Sequence, residues 1–195
     1  MPRQERAERS RALILDAAAD EFDAHGYSGA RLERIVERTG MTKGAVYFHF
    51  RSKLDLAGAL VAEDNVDWTG IVDAVDASGL RGIAAVTELT RRVGAVFVGE
   101  VRVRAALKLT QTVLPPEPGA DPYAQWTEIA AGYLRQAVED GELRSAADPV
   151  DIAAVAVQAF FGAYMIADEG GGLDGLAADI DRLWSVILGQ ERERG

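Results

Sequence analysis

The sequence predicts an all-α fold, in which a small N-terminal head of three helices precedes a larger helical body. Apolar residues recur at helical spacing along most of the chain, and five of the six prolines lie at residue 115 or beyond. No Asn-Gly or Asp-Gly pair joins two segments in which apolar and polar residues alternate, as a β-hairpin would require. Asp140-Gly141 follows a helical pattern and is typical of a helix end. These observations leave no segment that favours a β-sheet.

Composition narrows the class of protein. With 195 residues, 48% of them apolar, the chain can bury a real core. The absence of cysteine excludes a disulfide framework, a thiolate metal site and a cysteine nucleophile. No apolar run approaches the ~20 residues that cross a bilayer, and the charged start MPRQERAERSR lacks the apolar region of a signal peptide. We therefore expect a cytoplasmic protein.

Two helices are predicted at the start of the head. In the first, from about residue 9 to 25, Ile14, Ala18 and Phe22 form one apolar stripe, and Gly26 suits the residue that ends it. The second spans about residues 31–39 and ends at Gly40, with an inner face formed by Leu32, Ile35 and Val36.

Two more helices follow directly. Thr42 is suited to cap a short third helix that runs to about Phe48. Ser52 begins a fourth, where Ser52 and Asp55 resemble a capping box, and this helix is expected to continue to about Val75. The side chains expected to anchor the short helix in the core are Val46, Phe48 and Phe50.

The body reads as longer helices with short connections. Asp148-Pro149 is a strong helix start, residues 115–119 form a proline-rich loop that includes Pro118 and Gly119, and residues 170–172 form a glycine break. The predicted body helices lie near residues 80–98, 100–113, 122–140, 149–167 and 174–190.

Charge is distributed unevenly between the two ends of the chain. The net charge is −10, yet residues 1–55 carry ten basic and nine acidic side chains, whereas residues 56–195 carry eleven and 22. A polyanion could meet the N-terminal part, while the acidic remainder limits non-specific binding.

The segment TKGAVYFHFRSK, residues 42–53, combines rings and cations with a glycine. Two helices joined across residues 40–42 form a helix-turn-helix, whose second helix can enter a DNA major groove. Aromatic residues beside a turn are commonly core, and a basic pair is commonly solvated surface, so the arrangement as a whole carries the prediction. The residues expected to remain outside and contact DNA are Thr42, Lys43, Gly44, Tyr47 and His49, with Lys53 near a phosphate.

Residues 10–60 resemble the DNA-binding head of the TetR family of bacterial repressors. The resemblance lies in ILDAAADEFDAHGY and in RIVERTGMTKGAVYFHFRSKLDL. It implies a homodimer whose recognition helices enter successive major grooves, ~34 Å apart, on a near-palindromic operator. It also implies a DNA-binding domain over residues 1–55 and a ligand-binding and dimerisation domain over residues 56–195.

The sequence departs from the family pattern before the second helix. Many relatives have a threonine pair there, whereas this chain has Ala30-Arg31. We expect Ser28 to take over the cap, and Arg31 or Arg34 to reach the DNA backbone instead.

The body is similar to the γ-butyrolactone receptor branch of actinobacterial regulators. The similar segments are VRVRAALKLTQTVLPPEP, YAQWTEIAAGYLRQAVEDGEL and DPVDIAAVAVQAFFGAY. This resemblance implies repression until a small lactone or furan signal binds, with Trp126 in the ligand pocket.

A pocket for a small amphiphile needs apolar walls and one or two polar groups. The same side chains could equally be packed core, and the adjacent Phe160 and Phe161 could narrow the cavity. A pseudo-receptor, or a regulator of this family that responds to an unrelated hydrophobic ligand or antibiotic, therefore stays open as an alternative. The predicted pocket residues are Trp126, Phe160, Phe161, Tyr164 and Leu107 as walls, with Thr110 and Gln158 as polar partners.

The two last long helices are rich in alanine and valine on more than one face, which favours a partner beyond their own core. The family packs such helices as a four-helix dimer interface. The expected members are Ala153, Ala156, Leu183, Trp184 and Ile187, although burial within one subunit would explain the same pattern.

Two rival classes remain in view. An enzyme is disfavoured because no carboxylate pair is marked as special, the two histidines lack metal-ligand spacing, and no glycine-rich phosphate loop follows a strand. We expect no cofactor and no metal. The other rival is an interaction module whose acidic body binds a protein.

Overall fold

The computed structural model describes residues 3–63, 66–116 and 121–189, and within these ranges it contains α-helices and no strand. Pro118, Gly119 and the end of the last predicted helix at residue 190 lie outside the described residues. The helices are α1 (Arg3–Gly29), α2 (Leu32–Thr39), α3 (Lys43–His49), α4 (Lys53–Ala62), α5 (Trp68–Ala77), α6 (Gly82–Gly99), α7 (Val101–Thr112), α8 (Ala124–Glu139), α9 (Pro149–Glu169) and α10 (Leu176–Ile187), with a 3₁₀ turn at Leu173–Gly175.

The all-α prediction is confirmed, and the predicted signals at Gly26, Ser52 and Asp148 act where expected. Gly26 has a φ of 62° and interrupts α1, which begins earlier than predicted and resumes for three residues after the kink. The Ser52 hydroxyl caps α4 by accepting from the Asp55 amide, and Asp148 caps α9 by accepting from the Val150 amide.

The prediction of one helix from Ser52 to Val75 is wrong. The α4 helix ends at Ala62, where Glu63 leaves helical geometry with φ −103° and ψ 43°. The Asp67 side chain then accepts from the Gly70 amide and begins α5. The first amides of a helix have no acceptor within that helix, and the Asp67 carboxylate supplies one at the start of α5. Two helices therefore stand where one was predicted.

The chain divides into two compact units, and each is discontinuous in sequence. Unit 1 is Met1–Val66 with Glu100–Pro118, and unit 2 is Asp67–Gly99 with Gly119–Gly195. This grouping differs from a cut at residue 55, because α7 packs on α1 and α4 and contributes Ala105 and Leu109 to the core of unit 1. The functional division at that position stays a prediction.

Ion pairs fasten α7 to α1 inside unit 1. Asp23 accepts from Arg104 at 3.0 Å and from Lys108 at 2.7 Å, and Arg104 is only 9% exposed. Because all three groups are largely shielded from water, their attraction is weakly screened. These pairs explain why α7 belongs with the N-terminal helices.

In unit 2, α8 and α9 pack together, and α6 packs on α5, α8 and α10. Gly94 of α6 permits a close approach to α10, since a Cβ built there would lie 2.5 Å from the Ile180 Cδ1 atom. The hydroxyl of Tyr133 donates to Asp76 and joins α8 to α5. Unit 2 is therefore a helical body with its own core.

One helix corrects the expectation about membrane-spanning segments. The α9 helix has 21 residues and a mean hydropathy of 1.7 over its most apolar window, so by length and composition it could cross a bilayer. Its buried residues, among them Phe160 and Tyr164, pack inside unit 2, which makes α9 a core helix with a second apolar face.

Candidate functional site

The connection between α2 and α3 is a tight turn built from local hydrogen bonds. Gly40 adopts a φ of 67° and its amide donates to the Glu37 carbonyl at 3.2 Å. The Thr39 hydroxyl donates to the Val36 carbonyl and accepts from the Met41 amide, and the Thr42 hydroxyl then caps α3. These hydrogen bonds fix the turn and hold α3 as a short projecting helix.

Only two of the three expected anchors hold α3 in the core. Val46 is 0% and Phe50 3% exposed, whereas Phe48 is 81% exposed, so its predicted core position is wrong. Val46 and Phe50 are one helical turn apart and share a face, while Phe48 lies about 200° around the helix from each of them. The guanidinium of Arg11 covers the Phe50 ring at 4.6 Å.

Most of the predicted DNA contacts lie on the outer side of α3. Thr42, Lys43, Gly44 and Tyr47 are exposed, and His49 is half-buried with its ring beside those of Phe48 and Phe50. No side chain fills the space where a Cβ of Gly44 would project. The structure thus gathers small, basic and aromatic residues on one accessible surface.

Lys43 has an acidic neighbour on α2. Its ammonium lies 3.6 Å from the Glu33 carboxylate and 5.7 Å from the Tyr47 ring centroid. The pKa of Glu33 is lowered, first by hydrogen bonding to its own backbone amide and then by the charge of Lys43. Both side chains of this pair are more than 60% exposed, so a polyanion can compete for Lys43.

Lys53 has a structural role that the sequence did not indicate. Its ammonium donates to the carbonyls of Tyr27 and Ala30 at 2.6 and 3.0 Å, and it lies 4.5 Å from the Tyr27 ring centroid. Two of its three N–H groups are therefore engaged with the α1–α2 connection, and one remains for a phosphate.

The first turn of α2 is capped from another helix. Arg31 stands at the N-cap position and makes no side-chain cap, and its amide donates to the carboxylate of the fully buried Glu21 at 3.1 Å. The expectation that Ser28 caps α2 is wrong, because Glu21 of α1 supplies the acceptor. Arg34 approaches the same carboxylate at 3.6 Å, and the side chain of Arg31 is left exposed.

Unit 2 contains an aromatic cavity of about 70 Å³. All three tryptophans of the chain line it, although they come from three different helices. The lining residues are Trp68, Leu89, Thr90, Val93, Phe97, Trp126, Ala130, Ala156, Val157, Phe160, Phe161 and Trp184.

The cavity contains part of the predicted pocket. Trp126, Phe160 and Phe161 line it as expected, and Tyr164 packs behind it with its ring 4.7 Å from that of Phe97. Gln158 is exposed on the outside of α9. Leu107 and Thr110 do not line this cavity, because α7 folds into unit 1.

Sequence reasoning missed Trp68, Phe97, Trp184 and Thr90 as cavity residues. One signal could have found the tryptophans, since in a chain only 7% aromatic all three lie beyond residue 55. The tryptophans lie 58 residues apart, so helical periodicity does not relate them and only tertiary packing brings them together.

Among the lining residues of the cavity, Thr90 alone has a hydroxyl group, and this group already makes hydrogen bonds. The Thr90 hydroxyl accepts from the Trp184 indole N–H at 2.8 Å and donates to the backbone of its own helix. The rings of Trp68 and Trp126 meet edge to face at a centroid distance of 5.4 Å. Such a wall suits an apolar or weakly polar ligand.

A second surface runs along α9 and α10 as an apolar groove of about 570 Å³. Ile166 is 76% exposed and Val186 is 73% exposed. Two neighbouring helices thus present large apolar side chains on the surface of the subunit. The groove is lined by Val155, Ala159, Ala163, Ile166, Asp179, Arg182, Leu183, Val186 and Ile187.

Two of the five expected interface residues, Leu183 and Ile187, lie in this groove. The other three are corrected, since Ala153, Ala156 and Trp184 are 0%, 3% and 2% exposed and pack within the subunit. Both α9 and α10 have apolar residues on an inner and an outer face. Periodicity does not show on which of the two faces a given residue lies. In the described ranges, no group of three histidine, aspartate or glutamate side chains could hold a metal ion.

The N-terminal part of the chain matches a family model. Residues 14–60 match the model described as bacterial regulatory proteins, tetR family. The match covers α1 from its buried stripe onward, α2, the turn, α3 and most of α4.

Two relatives illustrate how the similarity is distributed. The A-factor receptor protein of Streptomyces griseus is 29% identical over an alignment of 200 positions, which covers 96% of this chain and 66% of that protein. The regulator SrpR of Pseudomonas putida is 46% identical over 56 residues, 29% of this chain and 26% of that one. The chain thus spans slightly under two thirds of the first relative and about a quarter of the second.

Solved structures match nearly the whole chain. CprB from S. coelicolor A3(2), described as a TetR family protein, is 31% identical with a TM-score of 0.76, covering 93% of this chain and 88% of that one. A γ-butyrolactone receptor described as ArpA-like is 30% identical with a TM-score of 0.70, covering 95% and 100%. A CprB structure in complex with its operator sequence is 30% identical with a TM-score of 0.67, covering 96% and 100%.

Proposed function

Since this chain belongs to the TetR family of bacterial regulatory proteins, we propose that it is a ligand-responsive transcriptional repressor that binds a palindromic operator as a homodimer. The observation that carries the proposal is the projecting α3 helix, whose outer face is accessible while Val46 and Phe50 hold its inner face. It acts in the cytoplasm, on double-stranded DNA and without a membrane, metal or enzymatic step.

DNA binding uses the outer residues of α3 together with cations of the first two helices. Lys43 and Gly44 meet the major groove, and the polar hydrogens of Thr42, Tyr47 and His49 donate to phosphate oxygens. Arg31 and the remaining N–H of Lys53 lie at the flank, where they neutralise the backbone. The similarity to CprB, which has been solved with its operator, supports this assignment.

Dimerisation covers the groove between α9 and α10. A twofold axis would place Ile166 and Val186 of each subunit against the same surface of the other. Burial of this exposed apolar area against a second copy accounts for α9 being apolar enough for a membrane while belonging to a helical body. Two subunits are also what a palindromic operator requires.

The effector is a small amphiphile, with a γ-butyrolactone as the first candidate because two similar structures are described as γ-butyrolactone receptors. A cavity of about 70 Å³ is less than half the ~150 Å³ of a cavity that binds benzene, so it holds only a few non-hydrogen atoms. A larger effector must therefore displace aromatic rings. The small volume also favours a second candidate function, a pseudo-receptor or a regulator that responds to an unrelated hydrophobic ligand.

The cavity is suited to transmit such a displacement along the chain. The chain passes between the two units after Val66, after Gly99 and after Pro118. Trp68 and Phe97 line the cavity within three residues of the first two crossings. Tyr123, soon after the third, lies with its ring tilted against that of the cavity residue Phe161, at a centroid distance of 4.5 Å. A ligand that separates these rings displaces residues that lie close in sequence to the crossings.

Release of the operator then follows from the thermodynamic linkage between ligand binding and DNA binding. If the ligand favours a separation of the two α3 helices that does not match both half-sites, operator affinity falls. The operator must weaken ligand binding by the same factor. Neither effect needs contact between ligand and DNA.

The proposal is tested by selecting duplexes from a random pool with the purified full chain, with and without γ-butyrolactones. We expect an enriched palindrome, bound by a dimer and released by the effector. Lys43→Ala combined with Tyr47→Ala should abolish enrichment, with Leu54→Ala as an exposed control in unit 1. An enriched palindrome that no lactone releases would favour the pseudo-receptor, and no enriched duplex at all would contradict the repressor.

A further inference from the structure

Phe48 is the most exposed large apolar side chain among the residues that the structure describes, with 81% of its surface accessible. The next two, Ile166 and Val186, face the groove that the proposed dimer covers. Nothing comparable covers Phe48, which lies on the short helix of the helix-turn-helix.

Phe48 adds little to the stability of its own subunit. Its ring and the His49 ring meet edge to face at a centroid distance of 5.4 Å, while Val46 and Phe50 hold the helix. An exposed phenyl ring keeps nearly all of its unfavourable hydration in the free protein, so its burial must come from another molecule.

The surroundings of Phe48 indicate which molecule that is. Gly44 lies one helical turn before it and leaves open space beside the ring, and Tyr47 and Lys43 flank the same surface. This is a narrow apolar strip beside a cation, on a helix of the size that enters a major groove. A groove floor offers one apolar group between two rows of phosphates, the 5-methyl group of thymine.

We propose that Phe48 is a specificity-determining residue that packs against the 5-methyl group of one thymine in each operator half-site. The inference rests on the proposed DNA-binding function and refines it. Phenylalanine has no hydrogen-bonding group, so it cannot serve as a phosphate donor as Tyr47 and His49 can. The proposed contact of its ring with a base methyl group therefore reads sequence and adds no hydrogen bond to a phosphate.

The test compares thymine with deoxyuridine, which lacks only that methyl group. An operator is first selected with the wild-type chain, and each thymine is then replaced singly and in symmetric pairs. For the wild type, we expect one position per half-site where the replacement weakens binding about four-fold, and about fifteen-fold when both half-sites are changed, as the burial of one methyl group predicts.

Phe48→Ala should bind the unmodified operator more weakly and should no longer distinguish thymine from deoxyuridine at that position. Phe48→Leu, which keeps an apolar side chain, should retain part of the preference. Leu13→Ala removes another exposed apolar side chain of unit 1 and should leave the preference unchanged. Because the ring is exposed, Phe48→Ala should also melt at the wild-type temperature.

The outcomes separate this inference from the proposed function. If Phe48→Ala keeps the wild-type response to deoxyuridine at every position, the inference is wrong while the repressor assignment stands. A wild-type chain that enriches no duplex would overturn both. A lower melting temperature for Phe48→Ala would indicate a structural role and contradict the premise that the ring is free.

Discussion

Glu21 is an unusual residue for the core of a helical head. It is fully buried, and one carboxylate oxygen accepts from the Arg31 amide while His25 and Arg34 lie within 4 Å of the carboxylate. Burying a charge costs free energy unless it is paired and hydrogen-bonded. Here the carboxylate from α1 accepts from the amide of Arg31, the N-cap residue of α2, which makes no side-chain cap of its own.

We expect Glu21→Leu to lower the free energy of unfolding by about 1–3 kcal/mol, because it leaves the Arg31 amide without an acceptor. Glu21→Gln keeps an acceptor oxygen and should cost less. Urea unfolding of both variants measures the difference. Equal losses for the two variants would show that the charge, and not the cap, is what matters.

Tyr133 gives the body a sensitivity to alkaline pH. Its pKa is raised far above the ordinary value, first by burial and then by the hydrogen bond that its hydroxyl donates to Asp76. The native state therefore keeps its proton at a pH where the unfolded chain, with a pKa of about 10, has lost it. Because the unfolded state then binds fewer protons, stability is retained below about pH 10 and falls as pH rises above it.

Tyr133→Phe removes this proton linkage. We expect the variant to be less stable than the wild type at neutral pH, since Asp76 loses its donor, and the difference to shrink above about pH 10. Thermal unfolding from pH 7 to 11 measures both. A difference that stays constant over this range would contradict the linkage.

Between elements, the contact of α6 with α10 depends on one missing side chain. A Cβ at Gly94 would lie 2.5 Å from the Ile180 Cδ1 atom and 3.7 Å from the Phe160 ring. Buried residues surround the site, so neither neighbour can move freely.

Gly94→Ala is therefore expected to destabilise the chain by about 1–3 kcal/mol through overpacking, despite the better helix propensity of alanine. Gly132→Ala on α8 is the matched control, because a Cβ there meets no atom within 4 Å and should stabilise by up to about 1 kcal/mol. The midpoints of denaturant unfolding measure the stability change of both variants. If Gly94→Ala is as stable as the wild type, the two helices can separate at little cost.

At the scale of the whole molecule, the groove between α9 and α10 is the proposed dimer interface. Ile166 and Val186 lie in it and are among the most exposed apolar residues described. A symmetric interface doubles the effect of any substitution, because both subunits carry it.

Val186→Glu should convert the dimer to a monomer at micromolar concentration and weaken operator binding by at least a hundred-fold, of the order expected from burying two unpaired charges. Sedimentation measures the first effect and a gel shift the second. Leu54→Glu, an exposed site in unit 1, should remain dimeric. Persistence of the dimer in Val186→Glu would place the interface elsewhere.

Much of the fold could be predicted because helix signals are local. Gly26, Gly40, Ser52 and Asp148 act on amides within a few residues, so their roles can be inferred from neighbouring letters. The turn and the exposed positions of Lys43 and Tyr47 follow from the same short-range pattern and from the family resemblance.

Long-range packing decided the remaining features. Lys53 finds carbonyls 23 and 26 residues away, and Glu21 caps a helix ten residues on, which no local pattern specifies. Likewise α7 joins unit 1 and takes Leu107 and Thr110 with it, whereas three distant tryptophans meet around one cavity in unit 2. Periodicity determines that a helix has an apolar face, but which residues of α9 and α10 face inward depends on helices that arrive from elsewhere in the chain.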